Sequence, residues 1–172
     1  MTTPEEPSQD TDLIESSSWR PLRLLTSAMD RDIAALYDDA GVHGFRPRFS
    51  PALIQLARHG PMTIRALADA VDVTHSAMSQ TVAAMRRAGL VSSAPTTDAR
   101  TRAVRLAPKA RQLVPFLEAE WRATERTVIE LEEEIPYPLT QVVRDIEQAL
   151  RRRSFRDRLK EHVAEYLDEG SR

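Results

Sequence analysis

Two short helical patterns set about three residues apart, with a strand pattern directly behind them, constrain this 172-residue chain more than anything else in it. Thr63 can cap the first helix, whose inner face is Ile64, Leu67, Ala68 and Val71. Asp72 and Val73 make a tight turn, and Thr74 can cap the second helix. That helix runs to Arg87 or Ala88, where Gly89 suits the positive φ that stops a helix. Leu90 and Val91 then open a strand, and residues 95–98 (Pro-Thr-Thr-Asp) read as a turn. Arg102, Val104 and Leu106 alternate with Ala103 and Arg105, as the returning strand of a hairpin does. A helix-turn-helix followed at once by a hairpin is the winged variant.

The remaining chain reads as helices around that unit. Residues 1–18 are polar and acidic without apolar periodicity, which marks a disordered N-terminal tail. Residues 19–49 form an outer helix and loop: Pro21 sits in the first turn and Leu22, Leu25, Met29, Ile33 and Leu36 follow at helical spacing. The winged segment spans 50–107, opened by Ser50 as an N-cap with Pro51 in the first turn. Residues 108–172 form the C-terminal helices. Pro108 starts a long helix carrying Leu113, Leu117, Trp121, Val128, Leu131 and Ile135, and Pro115 inside it predicts a kink. Pro136 and Pro138 break the chain, and another helix begins near Leu139 with Val142, Val143, Ile146 and Leu150 on its apolar face. Leu159, Val163 and Leu167 either continue it or form a separate segment. The fold class is therefore mainly α with a small β-hairpin wing (α+β).

Charge locates the functional face. The whole chain carries a net −2, but residues 58–111 hold nine basic side chains against Asp69, Asp72 and Asp98, a net +6 between two flanks of −4 each. A basic middle of this kind is an electrostatic footprint for phosphate. On the second helix, Met78, Val82 and Met85 share one face and pack inward. Ser76, Gln80, Ala83 and Arg87 fall on the opposite face with Ser79 at its edge, and His75 begins the helix. Small residues permit close approach to a major groove, and Gln80 can pair bidentately with adenine. The bland alternative is an ordinary amphipathic helix with a polar outer face; the adjoining turn, hairpin and charge favour double-stranded DNA. At the hairpin tip Arg100 and Arg102 can enter the minor groove or clamp its phosphates. Asp98 either caps the turn or holds a guanidinium. Arg58, Arg65, Arg86 and Arg105 are weaker candidates for backbone contacts.

Other functions are excluded on composition. The chain has no cysteine, so it has no disulfide framework, thiolate metal site or cysteine nucleophile. His43, His59, His75 and His162 show no metal spacing, and neither a nucleophile elbow nor a phosphate-binding glycine loop is present. No enzyme, metal or cofactor is expected. No apolar run approaches the ~20 residues of a membrane span and no secretory signal is present, so a cytoplasmic protein without membrane contact is expected.

These residues resemble the MarR family of winged helix-turn-helix transcriptional regulators. Residues 63–68 (Thr-Ile-Arg-Ala-Leu-Ala), the stretch from Val73-Thr74-His75-Ser76 through Arg87-Ala88-Gly89-Leu90-Val91, and Asp98-Ala99-Arg100 carry the likeness. The resemblance implies a homodimer held by its outer helices, acting as a ligand-responsive repressor on a pseudo-palindromic operator. It implies that Ser76, Ser79 and Gln80 face the major groove and that Asp98 and Arg100 form the wing contact. It also implies a small-molecule effector, for which Trp19, Tyr37, Phe45, Phe49, Phe116 and Trp121 are candidate pocket walls, although most such aromatics are simply core. The chain departs from many relatives in having Leu106-Ala107 and Ala110 where they have Leu-Thr and then Gly; Pro108 partly replaces the lost threonine cap. Arg151, Arg152, Arg153, Arg156 and Arg158 read as a solvated helix face in the dimerisation region, with an auxiliary phosphate contact as the alternative. A winged helix used only for protein contacts is the rival reading, and the cationic wing tip argues against it.

Overall fold

The computed structural model describes residues 16–95 and 102–169. It divides into two compact units, Met1–Glu118 and Ala119–Arg172.

In the first unit, α1 (Arg20–Asp39) is followed by a 3-10 turn (Pro47–Phe49), α2 (Ser50–His59), a two-residue strand β1 (Met62–Thr63), α3 (Ile64–Ala70) and α4 (His75–Arg87). The hairpin β2 (Val91–Ala94) and β3 (Ala103–Leu106) comes next, and α5 (Pro108–Glu134) begins. The sheet is antiparallel in the order β1-β3-β2. In its register Met62 opposes Val104, and Ser92 opposes Arg105.

Local chemistry explains the breaks. Thr63 and Thr74 cap α3 and α4, each hydroxyl accepting from the backbone N–H three residues on, at 3.1 and 3.2 Å. Between the two helices Asp72 takes φ +52°, a left-handed conformation that a short polar side chain tolerates. Helix α4 ends as its sequence predicts. Gly89 has φ +69°, its N–H donates to Arg86 O, and the Leu90 N–H reaches back to Met85 O at 2.9 Å. That paired arrangement satisfies the last carbonyls while Leu90 and Met85 meet in the core. At the start of α5 the lost threonine is not needed: the Ala107 carbonyl accepts from Ala110 and Arg111 N–H.

The core gathers Leu53, Leu56, Leu67, Met78, Val82, Met85, Val104, Leu106 and Leu117 around the helix-turn-helix. Each fully buried large apolar side chain contributes about 1.5–3 kcal/mol. Tyr37, Phe45, Phe49 and the half-buried Phe116 pack together with ring centroids 4.5 to 5.8 Å apart. Ser50 departs from expectation. Phe49 already has helical backbone angles and is the N-cap without a side-chain cap bond, because the 3-10 turn runs straight into α2. The Ser50 hydroxyl is instead buried and shares a 2.5 Å hydrogen bond with the Tyr37 hydroxyl. Strand β1 was also not foreseen, and α5 continues past Pro115 without interruption.

The second unit contains the C-terminal part of α5, then α6 (Leu139–Arg152) and α7 (Phe155–Glu169). The open alternative at the C-terminus is thus decided: Leu159, Val163 and Leu167 belong to a separate helix. Ser154 starts it, its Oγ accepting from Asp157 N–H and donating to the Asp157 carboxylate. Glu132 near the end of α5 caps α6, accepting from Thr140 N–H at 2.7 Å and Thr140 Oγ1 at 2.8 Å. Among the described residues, no helix is long and apolar enough to cross a membrane.

Candidate nucleic-acid interface

Helix α4 sorts its side chains as a reading helix would. Met78, Val82, Ala84 and Met85 are buried, while His75, Ser76, Gln80, Ala83 and Arg87 are exposed and Ser79 is half-buried at the edge. The face is set by the sequence period, since 3.6 residues per turn separates the two groups onto opposite sides. With Thr74 satisfying the Ala77 N–H, the first turn is fixed, and the short residues at that end leave backbone and hydroxyl groups open to approach.

Among the described residues around this helix, two arginines are oriented by serines, one is ion-paired and others are exposed. Arg86 Nη2 donates to Ser93 Oγ at 3.4 Å, and Arg105 Nε donates to Ser92 Oγ at 3.1 Å. Both serines lie on β2, so this strand orients two cationic side chains that the sequence offered only as separate candidates. Ser92 and Ser93 were not singled out there. The signal that would have found them is register: Ser92 stands directly opposite Arg105 across the hairpin. Arg58 on α2 is engaged by Glu118 at 3.5 Å. Arg65 on α3 and Arg102 before β3 are exposed. Asp98 and Arg100 lie outside the described residues.

Four of the six candidate aromatics, Tyr37, Phe45, Phe49 and Phe116, pack together within the first unit. Tyr37, Phe45 and Phe49 are core residues, and Phe116 packs against them. Phe45 and Phe49 additionally line a cavity of about 250 Å³ beside Val42, His43, Leu90, Lys109 and Leu113. Trp19 and Trp121 are roughly half exposed, at 54 and 43 %. In the second unit, three of the C-terminal arginines are occupied within the unit. Arg151 pairs with Glu147, Arg153 with Glu161, and Arg158 Nε donates to the Arg153 carbonyl.

Residues 43–101 match the MarR family, which covers α2 through the entry to the wing. In that segment the chain is similar to the MarR family. A MarR family transcriptional regulator from Silicibacter pomeroyi is 28 % identical with a TM-score of 0.50, over 82 % of this chain and 99 % of that one. S. aureus MepR, solved in complex with DNA, has a TM-score of 0.58 at 15 % identity, covering 78 % of this chain and 96 % of its own. The M. tuberculosis regulator MosR, also solved with DNA, has 0.54 at 21 %, covering 77 and 92 %. Comparison with curated proteins found no match. The short strand β1 pairs with β3 on the edge away from β2, so the sheet has three strands rather than being a bare hairpin.

Proposed function

We propose that this chain is a sequence-specific regulator of transcription that binds double-stranded operator DNA as a homodimer. The observation that carries the reading is the exposed Ser76–Gln80–Ala83–Arg87 face of a helix whose other face is buried. It sits in a segment of net charge +6, and two proteins of the same fold were captured on DNA. In this reading Gln80 reads a base edge, with His75, Ser76, Ser79 and Arg87 beside it. Arg86 and Arg105, oriented by Ser93 and Ser92, clamp phosphates together with Arg65. Asp98, Arg100 and Arg102 supply the wing contact. In a dimer the two α4 helices read half-sites roughly 34 Å apart. Such a regulator acts as a repressor where its operator overlaps a promoter. A small-molecule effector relieves it only by favouring the form that cannot bind DNA.

Fluorescence anisotropy with DNA from upstream of the protein's own gene, repeated across salt concentrations, tests this. The expected result is sequence-selective binding that weakens steeply with salt. Gln80→Ala with Arg100→Ala is expected to lower operator affinity about tenfold or more. Binding indifferent to sequence, or unchanged affinity in the double variant, would leave the protein-contact reading in its place.

A further inference from the structure

The negative charge of the N-terminal flank is concentrated at one end. Residues 1–15 carry Glu5, Glu6, Asp10, Asp12 and Glu15 and no lysine or arginine, a net −5. Residues 16–57 set five arginines against Asp30, Asp32, Asp38 and Asp39, a net +1. The −4 of the flank therefore comes from its first fifteen residues alone. They precede α1, which lies in the same unit as the winged helix and its +6 segment. We propose that residues 1–15 dock on the cationic face of α3, α4 and the wing as an internal mimic of the DNA backbone, and that operator DNA must displace them.

The cations of that face lack internal counter-charges. Arg65, Arg87 and Arg102 are exposed and make no ion pair among the described residues. Arg86 and Arg105 are held by neutral serine hydroxyls, which orient them and leave their charge unanswered. A carboxylate meets a guanidinium through the same paired hydrogen bonds as a phosphate does. The C-terminal arginines offer no equivalent target. Arg151 and Arg153 are already paired with Glu147 and Glu161, and residues 112–172 carry a net −4 that repels an acidic segment. Reach is ample, because fifteen residues extend to about 50 Å, against about 30 Å for the diameter of a small domain. Tethering supplies an effective concentration on the order of millimolar, so even a weak contact is populated.

The consequence for regulation rests on the DNA-binding reading. With about nine tenths of the molecules docked, the operator Kd rises about tenfold. Displaced carboxylates regain counterions as the phosphates lose theirs. Fewer ions are then released in total, and operator affinity falls less steeply with salt than the winged helix alone would dictate.

The chain has no cysteine, so Ser8→Cys gives a single attachment point for a nitroxide in the full-length protein. At low salt the nitroxide is expected to broaden the amide signals of Gln80, Ala83 and Arg102 and to spare those of Arg152 and Arg156. High salt or added DNA from upstream of the protein's own gene should restore the signals. A full-length variant with Glu5→Gln, Glu6→Gln, Asp10→Asn, Asp12→Asn and Glu15→Gln keeps the length and removes the charge. It is expected to lose the broadening and to bind operator about tenfold more tightly at low salt, with a steeper salt dependence that converges on the wild type at high salt. No broadening on α4 and the wing, broadening at Arg152 and Arg156 instead, or full broadening in the neutral variant would overturn the docking. Broadening that disappears in the neutral variant without any change in operator Kd would overturn the displacement. If the protein bound no DNA, the nitroxide would still read the docked segment, so this proposal and the DNA-binding reading fail separately.

Discussion

Gly89 and Ser92 show two ways in which single residues act here, one through the backbone and one through another side chain. Gly89 holds φ +69°, and a Cβ placed on it would meet no atom within 4 Å. The cost of a side chain there is therefore purely conformational, the left-handed penalty of an L-residue, about 1–2 kcal/mol. Gly89→Ala is expected to lower unfolding free energy by that amount in urea denaturation, with an unchanged m-value. A loss below about 0.3 kcal/mol would mean the helix ends some other way. Ser92 belongs to the second kind. Its hydroxyl holds Arg105 without carrying charge, so Ser92→Ala removes orientation and leaves electrostatics intact. The expected result is a few-fold weaker operator binding with the same dependence on log salt, whereas Arg105→Ala reduces that slope by about 1. Equal slopes and equal affinities in both variants would remove Arg105 from the DNA face.

Elements were legible in the sequence wherever one local signal decided them. Thr63, Thr74 and Gly89 each fix a helix end with a residue that has few other uses, and the structure places all three as the sequence implied. The buried and exposed faces of α4 follow in the same way from period alone. Features set by distant partners were not legible. β1 is only two residues long and exists because Met62 and Thr63 meet Val104 and Ala103 some forty positions later. Ser50 has the sequence context of a cap, but the preceding turn keeps the backbone helical and Tyr37 claims the hydroxyl. The clasp between α5 and α6 is another contact of this kind. Hydrogen bonds from the Thr140 backbone N–H and hydroxyl, ahead of Arg144's charge, hold the Glu132 pKa below its ordinary value of 4.5. A carboxylate with a depressed folded pKa stabilises the clasp above its unfolded pKa, and that contribution is lost as pH falls through the folded value. The loss is therefore expected in the acid range below pH 4.5. Carbon-detected NMR of the Glu132 carboxyl should titrate below 4.5, and Thr140→Ala should move the midpoint upward; a midpoint that does not move would dissolve the clasp as its cause.

At the scale of the whole molecule, the two units share one unusual property: helices with apolar faces that their own unit leaves exposed. In the first unit, Leu24, Leu25 and Leu36 of α1 are each about half exposed. In the second, Val142, Val143 and Ile146 of α6 and Leu159, Val163 and Leu167 of α7 all stand open to solvent. Single exposed apolar residues need no explanation, but stripes repeated along three helices do, because monomeric proteins rarely leave such surface uncovered. The charge distribution points to the same conclusion. The acidic flanks bring the total to −2, while the +6 segment keeps its cations, as expected when the outer helices serve association and the middle serves phosphate. A second copy of the chain is the occupant we propose for these faces, in keeping with the homodimer and paired half-sites proposed above. Light scattering is expected to give a dimer at micromolar concentration. Val142→Glu with Ile146→Glu places two charges on the apolar face of α6, outside the winged helix, and is expected to give a monomer. That monomer should retain the fold of the first unit, seen in unchanged methyl shifts of Leu67, Val82 and Val104, all of which lie in its core. It should lose most operator affinity, because each half-site is then held alone and the effective concentration supplied by the partner disappears. A wild type that scatters as a monomer would sink the dimer. A monomeric variant with undiminished affinity would show that one winged helix suffices, and the half-site spacing would then carry no information.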